Sequence, residues 1–441
     1  MAWLLTLGFM CDLIPSLKGK MYMKILIKTL GCKSNRYESE RLFEKLGHEH
    51  EIVDVGYEDR VAAGDGADLI IVNTCTVTHV ADRKSRQAIR SLKKVAPAAN
   101  VVVFGCGGRV SGDEYRGMIE VDEVFEEREE VVKYIEDMGK AGGGSEENAL
   151  RRTRAIVKVQ DGCNNYCTYC IIPLARGPEV SFESRRVLEE VRAVAARGYK
   201  EIVLTGINIG SWSEEEMDFV DLVNAAMEVA PGVRFRVSSI GPKDCSEKFL
   251  NLFENKQFCK HVHMSLQSGS DTVLKRMKRK YSVAEFEKIY RRFVEAVPDI
   301  ALTTDVIVGF PGETDEEFEE TVKFVERMGF MKVHVFPYSK RTRTKAFYMD
   351  GQIPDEIKKP RAAKLRDIAD RMATDYKKKF LGREMEVLVE KCEDGICNGV
   401  TSNYLPVQFS CPKNSDLVNE IAIIKLQKLT KDGNIRGQVA S

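Results

Sequence analysis

The sequence lacks both a long apolar run and an excess of charge of either sign. No stretch approaches the roughly 18 consecutive apolar residues of a membrane-spanning helix, so we expect no membrane partner. The 67 basic and 67 acidic residues cancel, so a nucleic-acid partner has to be inferred from local patches. The apolar first 14 residues also lack the basic start and the small-residue cleavage site of an export signal.

The start of the chain and its twelve cysteines give two further expectations. Met21 and Met23 precede the first strand-like run, so we expect translation to begin at one of them. Residues 1–22 would then be a non-native or unstructured extension, and a structured apolar arm is the alternative. Without an export signal we expect a cytoplasmic protein, whose reduced cysteines serve as ligands and not in disulfides.

The 441 residues are too many for one ordinary core and predict two to three domains. Strands and helices alternate over residues 23–140, which predicts an α/β domain with a parallel sheet. A glycine-rich linker, 141–152, follows. Six further strand–helix units over 153–380 favour a partial TIM-like (βα)6 barrel, and short strands separated by turns over 381–441 predict a small all-β barrel.

One cysteine set lies close together in sequence. The segment Asp161–Gly177, DGCNNYCTYCIIPLARG, follows a predicted strand and has the spacing C-x3-C-x2-C. Three thiolates can bind three irons of a 4Fe–4S cluster and leave the fourth iron open to a small molecule. The alternatives are a zinc site or three buried cysteines, but no cysteine or histidine that could complete a zinc site occurs between Cys170 and Cys245. We therefore predict three cluster ligands, Cys163, Cys167 and Cys170.

A second set of cysteines is dispersed along the chain, but each of them occupies the same kind of position. Cys32, Cys75 and Cys106 each come just after a predicted parallel strand, in the contexts KTLGC, IVNTC and VVFGC. The carboxyl ends of parallel strands meet at one edge of a sheet. Small buried cysteines are the alternative, yet the threefold repeat favours an auxiliary 4Fe–4S cluster. The other cysteines show no such pattern: Cys392 and Cys397 are expected to pack in a hairpin, and the six histidines form no recognisable ligand set.

The first set, at the opening of a βα barrel, resembles the radical S-adenosylmethionine superfamily. This resemblance implies that the open iron binds S-adenosylmethionine through the amino and carboxylate groups of its methionine part. It also implies a low-potential electron donor, because one electron cleaves this cofactor and so produces a radical that abstracts an inert hydrogen atom.

Both sets together resemble the methylthiotransferase branch of that superfamily. Its motifs occur in order from residue 29 to residue 346: TLGCKSNRYESE, NTCTVTHVADRKSRQAIR, QDGCNNYCTYCIIPLARG, EIVLTGINIGSW, LQSGSDTVLKRMKRKYS, DVIVGFPGETDEEF and FPYSKRTRTKA. The C-terminal strands are similar to the TRAM barrel of these enzymes. The resemblance implies two 4Fe–4S clusters, a methylthio group inserted at an inert C–H bond, and S-adenosylmethionine as radical source and methyl donor.

The motif wording is most similar to the subfamily that converts N6-threonylcarbamoyladenosine, next to the tRNA anticodon at position 37, to its 2-methylthio derivative. Methylthiolation of isopentenyladenosine in tRNA or of a ribosomal protein is the alternative within the family. A non-catalytic iron–sulfur RNA-binding redox sensor is the alternative of another class, and the barrel strand-end motifs argue against it because a sensor would not need them.

The resemblance also implies contacts for residues outside the clusters. Cofactor contacts are expected at strand ends, from Thr205, Gly206, Ser239, Gln267, Ile307 and Gly309. Arg176 is expected to meet the substrate or to brace the cluster loop. Independently of the resemblance, basic runs could provide phosphate contacts, with solvated helix faces as the alternative for each run. The residues predicted to bind RNA are Arg83, Lys84, Arg86, Lys275, Arg276, Arg341 and Arg343.

Overall fold

The computed structural model describes residues 22–56, 66–138, 153–412, 417–430 and 432–440. The chain divides into two compact units, with the boundary between Ala149 and Leu150. Apart from Tyr22, the extension predicted for residues 1–22 lies outside the described residues, as does the whole predicted linker, 141–152. No helix in the described ranges is long and apolar enough to cross a membrane.

The first unit is a five-stranded parallel sheet covered by helices. In chain order its elements are β1 Lys24–Thr29, α1 Lys33–Leu46, β2 Glu51–Val55, β3 Leu69–Thr74, α2 His79–Val95, β4 Asn100–Gly105, α3 Cys106–Arg116, β5 Glu123–Val124 and α4 Arg128–Asp137. The strand order is β2-β1-β3-β4-β5, and every pairing is parallel. The central strands are apolar on both faces, because α2 and α3 bury one face and α1 and α4 bury the other.

The second unit begins with the predicted partial barrel. Its strands are β6 Arg154–Lys158, β7 Gln160–Asp161, β8 Val180–Ser181, β9 Glu201–Thr205, β10 Ser213–Glu214, β11 Met217–Asp218, β12 Arg234–Val237, β13 Ser239–Ile240, β14 His261–Met264, β15 Ala301–Val308 and β16 Lys332–Pro337. Two parallel sheets, β12-β9-β6 and β13-β14-β15-β16, make up the wall. Only Ser238 separates β12 from β13, so these two form one interrupted strand, and the predicted six-stranded barrel is confirmed.

Helices cover the outside of this barrel. They are α5 Ile172–Arg176, α6 Ser184–Ala196, α7 Phe219–Val229, α8 Glu247–Asn251, α9 Asp271–Arg276, α10 Val283–Ala296, α11 Asp315–Met328 and α12 Asp355–Lys378. Alternate strand residues, such as Val262, Met264, Val306 and Val308, belong to the apolar core under these helices. The residues between them point to the other face of the strands, towards the barrel interior.

A closed β-barrel ends the second unit, as the sequence predicts. Its strands are β17 Glu384–Glu393, β18 Ile396–Thr401, β19 Pro406–Ser410, β20 Ile421–Leu429 and β21 Ile435–Val439, in the order β17-β18-β19-β21-β20. The last strand, β21, reads IRGQV and has little of the apolar alternation that indicates a strand in sequence. Gly437 allows β21 to approach closely, since a Cβ there would lie 2.4 Å from the side chain of Ile424.

One expectation about the cysteines is wrong. Cys392 and Cys397 face each other across β17 and β18 and are joined by a disulfide. The hairpin placement is therefore as expected, but these two residues are not thiols. Directly opposed residues of an antiparallel pair are close enough to be joined, irrespective of the redox state expected for the rest of the chain.

The β-barrel packs against the amino ends of the βα-barrel strands. The ring of Tyr404 stacks on His261, with ring centroids 4.7 Å apart, and the Arg236 guanidinium lies 4.7 Å from the centre of the same ring. Arg236 also donates hydrogen bonds to the carbonyls of Thr401 and Ser402. The β-barrel thus closes the end of the βα barrel opposite the carboxyl ends of its strands, where such barrels place their active sites.

Candidate functional site

The C-x3-C-x2-C loop runs from β7 to α5 at the carboxyl ends of the strands. Gly162 opens it with φ +69°, and a Cβ there would lie 1.8 Å from the carbonyl oxygen of Pro178, so this turn requires glycine. The amide of Cys163 donates to the Gly177 carbonyl over 3.2 Å, and that of Cys170 to the Cys167 carbonyl over 3.0 Å. These backbone contacts fix the curvature of the loop that presents the three sulfurs.

A second segment holds the loop from the other side. The amide of Thr168 donates to the Met277 carbonyl over 3.1 Å, and its hydroxyl donates to the Arg276 carbonyl over 2.9 Å. Arg279 is next in this segment, and its Nη1 lies 3.3 Å from Cys167 Sγ. Sequence reasoning missed this contact, because it treated the basic run around Arg279 as a set of phosphate contacts.

The three cysteines line a cavity of about 410 Å³. Burial raises the pKa of Cys163 and raises that of Cys170 to about 12, so both are protonated thiols unless a cation stabilises the thiolates. Within the described ranges the three sulfurs do not all lie within 4.8 Å of one another. In a 4Fe–4S cluster each thiolate binds a different iron, so the three thiolates need not converge on one point. The donor set at this cavity therefore fits the predicted 4Fe–4S cluster.

Two of the six predicted cofactor contacts belong to the described lining of this cavity, Ser239 and Gln267. Gln267 has φ +72°, a strained conformation for a residue other than glycine. Its amide donates to the Asp305 carbonyl over 2.8 Å, and its carbonyl accepts from the Ile307 amide over 2.9 Å. These two hydrogen bonds to the neighbouring strand therefore stabilise the strained backbone conformation that places the Gln267 side chain at the cavity.

The other four predicted contacts lie outside the described lining. Thr205 is 2% exposed, and a Cβ on Gly206 would lie 2.9 Å from Gln160 Oε1. Ile307 packs beside a small apolar cluster. Gly309 has φ +70°, and a Cβ there would lie 2.2 Å from the Lys358 side chain. At Gly206 and Gly309, glycine is therefore needed because a side chain would collide with neighbouring parts of the protein itself.

Arg176 lies at the base of the loop, where its Nη1 is 3.6 Å from Asp161 Oδ2. The other oxygen of Asp161 accepts from the Gly162 amide over 2.8 Å, and Lys158 forms an ion pair with the same carboxylate. Arg176 is buried. These contacts support the bracing role for Arg176.

In the first unit, Cys32, Cys75 and Cys106 follow β1, β3 and β4, which are neighbours in the sheet. Gly31 approaches Cys75 so closely that a Cβ on it would lie 2.9 Å from Cys75 Cβ. The structure thus brings the ends of these strands together, as the sequence predicts. Cys32 is exposed, whereas the other two cysteines are buried.

A buried amide network beneath these cysteines was missed from sequence. Asn35 Nδ2 donates to Asn73 Oδ1 over 2.8 Å and to the Thr74 carbonyl over 3.1 Å. Asn73 Nδ2 returns a bond to the Asn35 carbonyl over 2.8 Å, and Cys32 Sγ lies 3.3 Å from Asn35 Oδ1. Buried amides with this many partners fix their surroundings. The asparagines in the motifs GCKSN and IVNTC, Asn35 and Asn73, are the sequence signal that could have indicated this network.

The residues predicted to bind RNA fall into two groups. Exposed side chains are found at Arg83, Lys84, Lys275 and Arg343, and Arg86 is partly exposed. Arg276 instead pairs with Glu317 over 2.6 Å, and Arg341 is only 5% exposed. Three lysines that were not selected individually, Lys243, Lys278 and Lys280, line the cavity that contains the cysteines.

Comparisons with known proteins match the segments that carry each of the two cysteine sets. Residues 157–325 match the family model described as Radical SAM superfamily, and residues 24–126 match Uncharacterized protein family UPF0004. A threonylcarbamoyladenosine tRNA methylthiotransferase, MtaB, from Chlamydia pneumoniae is 36% identical over 412 residues, covering 92% of this chain and 96% of the relative. A tRNA-2-methylthio-N(6)-dimethylallyladenosine synthase from Acetivibrio thermocellus is 32% identical over 463 residues, covering 96% and 91%.

Among solved structures, the radical S-adenosylmethionine methyltransferase TsrM from Kitasatospora setae aligns with a TM-score of 0.54 at 16% identity. The alignment covers 74% of this chain and 77% of that one, and at this identity it shows the fold alone. The identity to the two methylthiotransferases, in contrast, extends over more than nine-tenths of each chain. The protein therefore belongs to the radical S-adenosylmethionine methylthiotransferase family.

Proposed function

We propose that this enzyme converts N6-threonylcarbamoyladenosine, next to the anticodon of tRNA, to its 2-methylthio derivative. The observation that carries the proposal is the composition of one cavity: three cysteines suited to a 4Fe–4S cluster share it with three lysines. Cysteine thiolates provide the cluster ligands, and lysines at the same cavity favour an anionic substrate such as RNA. The name of the Chlamydia relative supports the choice of nucleoside.

The residues of the βα barrel have distinct roles in this proposal. Cys163, Cys167 and Cys170 would hold the cluster, and Ser239 and Gln267 would contact S-adenosylmethionine beside it. When bound, the cluster and this cofactor supply the one-electron chemistry that breaks an inert C–H bond. The protein's own contribution is to fix the loop and to exclude water from the cavity.

The first unit would hold a second 4Fe–4S cluster on Cys32, Cys75 and Cys106, as the source or carrier of the sulfur. The hydrogen bonds between Asn35 and Asn73 would keep the three strand ends in register. The proposal further includes S-adenosylmethionine as methyl donor, a low-potential electron donor, and activity in the cytoplasm.

Basic side chains on both units are proposed to contact the tRNA backbone. In the second unit these are Lys243, Lys278 and Lys280 at the cavity. In the first unit, Arg83 and Lys84 present exposed charges on α2. Phosphate contacts of this kind add affinity and orientation but carry no base specificity, so the choice of nucleoside has to arise within the cavity.

Mass spectrometry of tRNA nucleosides tests the proposal. A strain lacking the gene is compared with strains that carry the wild-type gene, Cys163→Ala or Cys245→Ala. Cys245 is a buried cysteine of the same unit and serves as the matched control. We expect the 2-methylthio derivative of threonylcarbamoyladenosine to disappear in the deletion strain and to return with wild type and Cys245→Ala, but not with Cys163→Ala. An unchanged nucleoside profile in the deletion strain would contradict the proposed substrate.

Methylthiolation of the dimethylallyl (isopentenyl) nucleoside is the second candidate, because the Acetivibrio relative carries that name. The same nucleoside profiles distinguish the two, since each product has its own mass. Peptide masses of ribosomal proteins from the same strains test the third substrate class. Reductive cleavage of S-adenosylmethionine by the purified enzyme would exclude a non-catalytic RNA-binding sensor.

A further inference from the structure

Two histidines and an aspartate meet inside the βα barrel, on the adjacent strands β14, β15 and β16. His263 Nε2 lies 3.2 Å from Asp305 Oδ2, and Asp305 pairs in register with His334 on the neighbouring strand. One nitrogen of each histidine and one carboxylate oxygen all lie within 4.8 Å of one another. The sequence gives no sign of this set, because its members are far apart and only the pairing of the strands unites them.

The contact between His263 and Asp305 lacks the geometry of an ordinary hydrogen bond. Although the two atoms are close, His263 Nε2 has no hydrogen-bond partner among the described residues. The other ring nitrogen, Nδ1, lies 3.0 Å from the hydroxyl of Thr303. When Nδ1 carries the ring proton, Nε2 presents a lone pair beside a carboxylate, and a cation between them would relieve that repulsion.

The surroundings of His263 match those of a metal-binding histidine. Such histidines usually engage their second ring nitrogen with a neighbouring group, which fixes the tautomer and the ring orientation. Thr303 provides this contact, and its hydroxyl is itself held by His261 Nε2 over 3.0 Å. The side chains of His263 and Asp305 are 12% and 28% exposed, so the site is sheltered but open to a small ion.

The spacing indicates a single ion. The three donor atoms lie within the distance that ligands of one ion span, whereas the three sulfurs of the C-x3-C-x2-C loop do not. Two imidazoles and one carboxylate suit divalent first-row metals such as Fe(II), Mn(II) and Zn(II). Three protein ligands also leave coordination positions for water or for another molecule in the barrel.

We propose that His263, Asp305 and His334 bind one divalent first-row transition metal ion inside the barrel. The site shares no ligand with either cysteine set and does not depend on the identity of the substrate. The competing explanation is a protonated His263 paired with Asp305, and this predicts no metal affinity.

Titration with Mn(II), followed by electron paramagnetic resonance, tests the proposal on the full-length, anaerobically reconstituted enzyme. Free Mn(II) gives a six-line signal that is lost on binding, and oxidised 4Fe–4S clusters are silent. An excess of Mg(II) occupies weak sites made only of oxygen atoms. We expect one tightly bound Mn(II) per chain, which Zn(II) releases in accordance with the stability order of divalent metals.

Variants assign the ion to these residues. We expect Asp305→Asn and His334→Gln each to weaken Mn(II) binding at least about tenfold, and Thr303→Val to weaken it about tenfold by releasing the His263 ring. His48→Gln, which removes an exposed histidine of the first unit, should bind as wild type does. Iron content and circular dichroism identify folded variants, and Thr303→Val decides the matter if the ligand variants do not fold. The proposal is overturned if wild type binds no Mn(II) under these conditions, or if all folded variants bind it equally.

Discussion

Replacing Glu201 by glutamine tests the buried charge cluster at the amino end of the βα barrel. Glu201 is 0% exposed and accepts hydrogen bonds from Arg234 over 2.7 Å and from Arg236 over 2.8 Å. Burial alone would raise the pKa of Glu201, but the guanidiniums of Arg236 and Arg234 lower it from 4.5 to about 2. A lowering of this size corresponds to about 3 kcal/mol of stabilisation of the folded state.

The variant leaves two buried guanidiniums without their counter-charge. We therefore expect Glu201→Gln to lower the free energy of unfolding by about 3–5 kcal/mol at neutral pH. Because the folded-state pKa lies below the ordinary value of 4.5, the contribution of Glu201 is complete above pH 4.5 and is lost as the pH falls towards 2. The difference between wild type and variant should therefore shrink with acidification.

Urea denaturation of the full chain measures this difference. Trp212 is buried in the second unit, so its fluorescence follows the unfolding of that unit. The matched control is Glu287→Gln, since Glu287 also pairs with two arginines, Arg291 and Arg327, but does so near the surface. We expect the control to lose less than about 1 kcal/mol. The reasoning about buried charge is refuted if Glu201→Gln is no more destabilising than Glu287→Gln.

Two further predictions concern the C-x3-C-x2-C loop. Gly162→Ala places a Cβ 1.8 Å from a backbone carbonyl oxygen and should therefore reduce the iron bound after reconstitution. The control is Gly177→Ala, because Gly177 also has a positive φ, +80°, but a Cβ there has no atom within 4 Å. This control should retain more iron, and equal iron contents of the two variants would contradict the steric argument. Arg279→Met removes the N–H group 3.3 Å from Cys167 Sγ and should lower the midpoint potential of the cluster by about 60 mV, equivalent to about 1.4 kcal/mol for one electron. Spectroelectrochemistry measures that potential, Lys275→Met is the control from the same basic run, and equal potentials for the two variants would contradict the contact.

The sequence predicts the features that depend on local order along the chain. Parallel strands with a cysteine just past each carboxyl end place Cys32, Cys75 and Cys106 at one sheet edge, whatever the rest of the fold does. The C-x3-C-x2-C loop is equally local, because its spacing and its glycine fix its shape. The predicted domain order follows from the change in periodicity along the chain and needs no long-range contact.

The missed features are contacts between segments that lie far apart in sequence. Arg279 reaches Cys167 across more than a hundred residues, and Arg236 reaches the carbonyl of Ser402 in the β-barrel. The sequence around Arg279 contains nothing that indicates a contact with Cys167, and the sequence around Arg236 contains nothing that indicates one with Ser402. The disulfide between Cys392 and Cys397 was misjudged for a different reason. An argument from the cellular compartment applies to the chain as a whole, whereas cross-strand pairing acts on two particular residues.

The interior of the βα barrel explains why the strands of this parallel sheet alternate between polar and apolar residues. Parallel strands buried on both faces are usually continuous apolar runs, but β12 reads RFRV and β14 reads HVHM. The apolar members of these strands lie in the core beneath the helices, so the polar members point inwards. Buried polar groups are costly unless they are paired. The alternation therefore implies partners inside the barrel, and the β-barrel carbonyls provide them for Arg236. His263 and Asp305 also lie inside the barrel, and the same argument implies a partner for them. The proposed metal ion would be that partner.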